Sequence, residues 1–193
     1  MGNTVGSLSE EQRSIVVGSL LGDGGMRCKT NALLEINHSL AQRGYVDWKY
    51  GWLAELVSTP PSARSGNGDR VVYRFVTRSV PELTPFFHRF YGGGKKQVRG
   101  ELELTPMTLA VWFMDDGCRS RRAVYLNTQQ FDEMSQRTML RLLEEQWGIR
   151  ASLNRDKCYH RIRISVASTT RLRGIIEPYL LSEFRYKLPH VTP

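Results

Sequence analysis

Long apolar runs are missing from this 193-residue sequence. No stretch approaches the roughly 20 apolar residues that a membrane-spanning helix needs. Residues 1–12 (MGNTVGSLSEEQ) also lack the basic and then apolar order of a secretory signal. We therefore expect no membrane partner and an intracellular location, either in a bacterial or archaeal cytoplasm or in a mitochondrion or chloroplast.

Cysteines and the usual catalytic motifs are also scarce. Cys28, Cys118 and Cys158 are far apart and form no C-x-x-C pair, which favours reduced thiols over disulfides or structural zinc. Residues 92–95 (GGGK) lack the spacing of a nucleotide-binding loop, so no nucleotide cofactor is expected. The sequence has no H-E-x-x-H and no G-x-S-x-G, and therefore gives no indication of a covalent enzyme intermediate.

Positive charge is abundant. The 27 Lys and Arg residues outnumber 19 Asp and Glu, for a formal net charge of +8, and they are spread along the chain. This distribution favours a polyanionic partner along a folded surface, and nucleic acid is the first candidate.

Two helices are predicted to end in the dipeptide Asp-Gly. Ser9 with Gln12 three residues later forms a capping box, which starts a helix that runs to about Asp23. Thr105 followed by a proline starts a second helix, which runs to Asp116.

Two segments alternate like half-buried strands, at residues 70–79 and 160–168. In each, arginines occupy one face, and a short helical stretch follows, beginning near Val80 and near Thr169. In the first segment Val71, Tyr73, Phe75 and Thr77 share one face, and Arg70, Val72, Arg74, Val76 and Arg78 share the other. In the second, Ile162, Ile164 and Val166 alternate with Arg161, Arg163 and Ser165.

These landmarks recur at nearly one offset. The separations are 93 residues from Asp23 to Asp116, 89 from Ser79 to Ser168, and 91 from Lys96 to Lys187. Longer helices are predicted at 42–57, with apolar residues Trp48, Trp52, Leu53 and Leu56, and at 132–147. The chain is thus predicted to be α+β, with two pseudo-symmetric α–β–β–α–β–β–α halves at 1–95 and 105–193, a linker at 96–104 and a surface loop at 58–69.

The two Asp-Gly ends are expected to meet. Gly18, Ser19 and Gly22 make one face of the first helix small, so that the second helix can pack closely against it through Ala110. A carboxylate at the negative end of a helix is unfavourable unless a cation neutralises it. Mg²⁺ suits such a site because it takes one or two carboxylates together with water and phosphate oxygens.

Residues 16–24 (VVGSLLGDG) and 109–117 (LAVWFMDDG) both resemble the LAGLIDADG motif of homing endonucleases. The strings at 104–107 (LTPM), 126–129 (LNTQ) and 186–189 (YKLP) are similar to the intron-encoded, monomeric branch with two motifs. The resemblance covers nearly the whole chain.

The resemblance implies that Asp23 and Asp116 bind a divalent cation, Mg²⁺ with Mn²⁺ as a substitute. The backbone carbonyls of Gly22 and Asp115 are additional candidate ligands, and the side chain of Asp115, at the motif's alanine position, is supporting or merely solvated. An active-centre lysine falls on Lys187, with Lys96 as its repeat mate. Lys95 remains an alternative to Lys96.

The resemblance also implies how DNA is bound and cut. Antiparallel sheets form a saddle in each half, and a monomer hydrolyses both strands of double-stranded DNA across the minor groove, at a long specific site, leaving short 3′ overhangs. The candidate DNA-binding residues are Arg70, Arg74, Arg78, Arg119, Arg121, Arg122, Arg161 and Arg163.

Two other readings stay open. One is an RNA-splicing maturase or a DNA-binding relative that has lost cleavage, against which the presence of both aspartates and both lysines argues. The other is a Mg²⁺-dependent phosphohydrolase of small substrates, which would have no use for arginine-faced strands.

Overall fold

The computed structural model describes residues 7–189. Residues 1–6, half of the stretch interpreted as lacking a secretory signal, lie outside the described part, as do residues 190–193. The internal contacts divide the chain into two compact units after His88. The predicted boundaries at 95 and 105 remain predictions. Within residues 7–189, no helix has the length and apolarity that a membrane span requires.

The first unit follows the predicted order of helices and strands. Its elements are α1 (Glu10–Leu21), β1 (Gly25–Cys28), β2 (Ala32–Ser39), α2 (Arg43–Leu53), β3 (Ser62–Ser65), β4 (Val71–Val76) and α3 (Thr84–Phe90), the last of which crosses into the second unit. The four strands form an antiparallel sheet in the order β1-β2-β4-β3.

The second unit repeats this arrangement after a two-stranded hairpin. Its elements are β5 (Tyr91–Gly92), β6 (Lys95–Lys96), α4 (Pro106–Asp116), β7 (Gly117–Ser120), β8 (Ala123–Leu126), α5 (Glu133–Trp147), β9 (Ala151–Asp156), β10 (Tyr159–Ile164) and α6 (Val166–Ile176). The antiparallel sheet has the order β7-β8-β10-β9, the same topology as the first. The predicted α+β repeat is therefore confirmed.

Side-chain caps fix where the helices begin. Ser9 accepts a hydrogen bond from the backbone N–H of Gln12, whose side chain accepts one from the Ser9 N–H, as the capping box predicts. Thr105 caps α4 through the N–H of Thr108. The Asp132 carboxylate accepts from the N–H of Ser135 at 2.7 Å, and this hydrogen bond holds the pKa of Asp132 below its ordinary value.

Each sheet buries one face against helices of its own unit. In the first unit α2 packs on β2 and β4, over the buried side chains of Leu34, Ile36 and Phe75. In the second, α5 packs on β9 and β10, and Ile162 and Ile164 are fully buried. The predicted alternation of buried and solvent-facing residues is thus confirmed for β4 and β10.

Three sequence interpretations need correction. The surface loop at 58–69 contains β3, an exposed edge strand without the apolar alternation by which strands are recognised. Val166 does not extend β10, because Ser165 caps α6 by accepting from the N–H of Ser168. Trp52 is 42% exposed, and the buried stripe of α2 consists of Tyr45, Val46, Lys49 and Leu53.

Candidate functional site

Asp23 lies in a tight turn directly after α1. The N–H of Gly24 donates to the carbonyl of Ser19 at 2.7 Å, and a Cβ at position 24 would lie 2.8 Å from that oxygen. Only glycine lets the chain pass so close to the end of the helix. The turn leaves the Asp23 side chain 53% exposed.

Two basic side chains of the first unit extend inwards from Asp23: His38 lies near Asp23, and Lys49 contacts His38. The Nδ1 atom of His38 on β2 lies 3.9 Å from Asp23 Oδ2. On the other side of the ring, His38 Nε2 lies 3.4 Å from Nζ of Lys49, which is fully buried on α2. The Lys49 ammonium also sits 4.3 Å from the centre of the Tyr45 ring, a cation–π contact.

Asp116 is the last residue of α4 and, unlike Asp23, is buried, with 7% of its surface exposed. Gln130 Nε2 donates to Asp116 Oδ2 at 3.3 Å, which orients the carboxylate. The chain then turns directly into β7, where a Cβ on Gly117 would collide with the carbonyl oxygen and ring of Phe113. Gln130 follows the LNTQ string but had not been singled out from the sequence.

Lys187 lies at the same end of α4. Its Nζ donates to the carbonyls of Met114 at 2.5 Å and of Asp115 at 3.0 Å. The carbonyls in the last turn of a helix lack intrahelical partners and carry partial negative charge, so an ammonium here is favourable. The Asp115 carbonyl, a candidate metal ligand, is thus also a lysine acceptor.

The predicted repeat mate of Lys187 has different surroundings. Lys96 lies on β6, in the second unit, with its ammonium 5.4 Å from the centre of the Phe131 ring. Lys95 is exposed beside it. In the first unit, the lysine next to the Asp23–His38 pair is Lys49, which the sequence reading did not select.

The solvent-facing side of the first sheet carries arginines, some of them predicted. Arg74 pairs in register with Asn37 and Ser62 and contacts Glu35 at 3.2 Å. Arg70 is exposed just before β4, whereas Arg78 lies beyond the strand and donates to the carbonyl of Glu55. The register adds Arg27 and Arg64, which the sequence pattern did not distinguish because β1 and β3 are short.

The solvent-facing side of the second sheet combines arginines with tyrosines. Arg163 pairs with Tyr125, and the Arg161 guanidinium stacks 4.3 Å from the centre of the same ring. Arg119 is exposed but falls on the opposite face of the sheet, because it pairs with Val124. Arg121, with φ of 54°, and Arg122 occupy the exposed turn between β7 and β8.

Curated relatives match over nearly the whole chain. The chain is 32% identical to a protein RecA of Mycobacterium gastri, over 94% of this chain and 48% of that protein. It is 26% identical to the cytochrome b mRNA maturase bI2 of Saccharomyces cerevisiae, over 97% and 49%. A probable intron-encoded endonuclease 1 of Wickerhamomyces canadensis is 24% identical, over 94% and 85%. The chain spans about half the length of the first two relatives.

Solved structures show the same fold, and a family match gives it a name. The homing endonuclease I-WcaI bound to its DNA recognition sequence aligns with a TM-score of 0.87 and 21% identity, over 100% of this chain and 96% of that one. I-DmoI Q42AK120M, in complex with its nicked target DNA and in the presence of Mn, aligns with a TM-score of 0.61 and 13% identity, over 89% and 98%. Residues 13–172 match the sequence model of the LAGLIDADG DNA endonuclease family. The chain therefore belongs to the LAGLIDADG DNA endonuclease family.

Proposed function

We propose that this protein is a site-specific homing endonuclease that hydrolyses both strands of double-stranded DNA with the help of divalent cations. The observation that carries the proposal is the placement of an aspartate at each motif helix, Asp23 in the turn directly after α1 and Asp116 as the last residue of α4, within a chain of this family. The arginines on the outer faces of both sheets supply the positive charge that DNA binding requires.

The donor groups at the two aspartates fit a hard divalent cation. Both offer carboxylate oxygens beside backbone carbonyls at a helix end. Oxygen donors of this kind are those that Mg²⁺ and Mn²⁺ accept. When bound, the cation would offset negative charge on the scissile phosphate and make the attacking water more acidic.

The side chains around Asp116 have separable tasks in this account. Gln130 donates to Asp116 Oδ2, which fixes the orientation of the carboxylate. Lys187 neutralises the carbonyls at the end of α4 and places a positive charge where negative charge develops on the phosphate. We propose that Asp23 serves one DNA strand and Asp116 the other, and that Lys96 or Lys95 contacts the DNA backbone.

RNA splicing is the second candidate function. The 26% identity to the cytochrome b mRNA maturase of yeast favours it, since that relative matches along 97% of this chain. The two activities are separable by substrate, because splicing acts on RNA, whereas the proposed endonuclease requires only DNA and a divalent cation. Incubation of the protein with duplex DNA and Mg²⁺ alone discriminates between the two functions, because only an endonuclease would cleave the DNA.

Asp23→Asn and Asp116→Asn test the proposed chemistry. Each change keeps the size of the side chain but removes the charge that holds the cation, so we expect double-strand cleavage to fall by about 10²-fold or more while DNA affinity without metal is retained. Glu145→Gln, on the solvent face of α5, is the matched control and should cleave normally. Undiminished cleavage by either aspartate variant would refute the assignment.

A further inference from the structure

Lys49 has no explanation in the proposed chemistry. It lies in the middle of α2 with none of its surface exposed, where a lysine ammonium is costly unless polar partners compensate for the lost water. Two such partners are the imidazole of His38 at 3.4 Å and the face of the Tyr45 ring at 4.3 Å. Tyr45 precedes Lys49 by one helical turn and so shares its face of the helix.

The contact between Lys49 and His38 favours one of the two ring nitrogens as the carrier of the histidine's proton. A charged Lys49 has only donors to offer, so its contact favours the tautomer in which Nε2 of His38 is the acceptor. A neutral imidazole that accepts at Nε2 carries its hydrogen on Nδ1. Nδ1 is the atom that lies 3.9 Å from the Asp23 carboxylate. This tautomer therefore places the ring hydrogen on the nitrogen nearer Asp23.

Packing leaves the ring little freedom to reorient. The side chain of His38 is only 3% exposed, and its ring contacts that of Tyr45 with the centroids 5.1 Å apart and the planes tilted by 54°. The Tyr45 ring thus contacts both His38 and Lys49. The three side chains form one buried unit whose outer end is the Nδ1–H group.

We propose that Lys49 is a positioning residue of the first active centre, which holds His38 in the Nδ1-protonated form so that the imidazole donates towards Asp23 and the water around it. The proposal rests on the proposed function of Asp23. Donors behind a metal-binding carboxylate orient it, and their loss typically costs about 10–100-fold in metal affinity or activity. The corresponding donor behind Asp116 is Gln130, so the two centres reach the same end with different side chains.

The first test reads the histidine directly and needs neither metal nor DNA. Long-range ¹H–¹⁵N spectra of the ¹⁵N-histidine-labelled protein distinguish protonated from unprotonated ring nitrogens, and the His38 signals are assigned by their loss in His38→Asn. We expect a proton on Nδ1 in the wild-type protein and a shift towards Nε2 in Lys49→Met. A wild-type His38 protonated on Nε2 would overturn the proposal, whether or not the variant folds.

The second test measures cleavage of each DNA strand separately. Lys49→Met should slow one strand by about 10–100-fold, so that nicked DNA accumulates, while the other strand is cut at its normal rate. Leu53→Val, which also disturbs the buried stripe of α2 but has no polar group to lose, should favour neither strand. Equal slowing of both strands by Lys49→Met would show a merely structural role and refute the proposal.

A double variant shows whether Lys49 acts through His38. Asparagine places an amide nitrogen near the position of Nδ1 and has no equivalent of Nε2, so Lys49→Met should slow cleavage no further in a His38→Asn background. Additive losses would contradict the proposal. Asp23→Asn keeps the outcomes apart: if that variant cleaves normally, the proposed function of Asp23 fails, while the spectra still test the Lys49–His38 pair.

Discussion

Each motif aspartate is followed by a glycine, and the backbone of that glycine packs closely against the preceding motif helix. At Gly24 an added Cβ would meet the carbonyl oxygen and Cβ of Ser19, and at Gly117 it would meet Phe113. Neither contact can relax cheaply, because each involves backbone of the motif helix. The glycines thus allow the aspartates to stand at the helix ends with the chain turning at once into a strand.

We expect Gly24→Ala and Gly117→Ala each to lower the free energy of unfolding by about 1–3 kcal/mol, the usual cost of overpacking. Urea denaturation followed by circular dichroism measures the change. Gly51→Ala is the control, since position 51 lies within α2 with open space around it and alanine favours helices by up to about 1 kcal/mol there. Equal stability of all three variants would contradict the close approach.

Single residues differ in how far the sequence predicts them. The placement of Asp23 just after α1 and of Asp116 at the end of α4 was predictable, because an Asp-Gly pair closes each capped helix at the repeat offset. Lys49 was not, since a lysine in a helix is usually solvated. Its signal was its spacing: Lys49 follows Tyr45 by four residues and precedes Leu53 by four, which places it on the apolar stripe. The acceptor that makes burial tolerable, His38, lies on another element, and no local pattern joins the two.

Among the elements, the outer sheet faces carry the charges that DNA would meet. Arg74 on β4 and Arg163 on β10 occupy corresponding strands of the two repeats and point away from the helices. We expect Arg74→Ala and Arg163→Ala each to weaken DNA binding and to reduce the slope of log affinity against log salt by about one, if each guanidinium contacts one phosphate.

Fluorescence anisotropy across a salt titration measures this slope. Arg137→Ala is a matched control, because Arg137 pairs with Glu133 on the solvent face of α5, away from the sheet surface of its unit. Its slope should equal that of the wild-type protein. Unchanged slopes for both sheet variants would remove these strands from the DNA interface.

The elements were predictable to the extent that local physics specifies them. Capping residues gave the starts of α1 and α4, and alternation gave β4 and β10. The edge strand β3 was not predicted, because its side chains are mostly exposed to solvent and its sequence therefore shows no apolar alternation. The start of α6 was misplaced because alternation continues through Val166, although Ser165 caps a helix there.

At the scale of the whole molecule, a duplicated fold holds two dissimilar acidic centres. The exposed Asp23 has His38 and the buried Lys49 behind it, whereas the buried Asp116 has Gln130 beside it and Lys187 at the end of its helix. The duplication is visible in the sequence because the motif aspartates and other marked positions recur at a nearly constant offset. The chemistry diverges because the supporting side chains come from elements that the offset does not constrain.

Cleavage of a randomised library of duplex DNA with Mg²⁺ tests the central claim most directly. The proposed function predicts that sequencing of the cut ends returns a single long site, with both strands cut and short 3′ overhangs. Bound DNA that stays intact, or nicks scattered without a common sequence, would contradict the account.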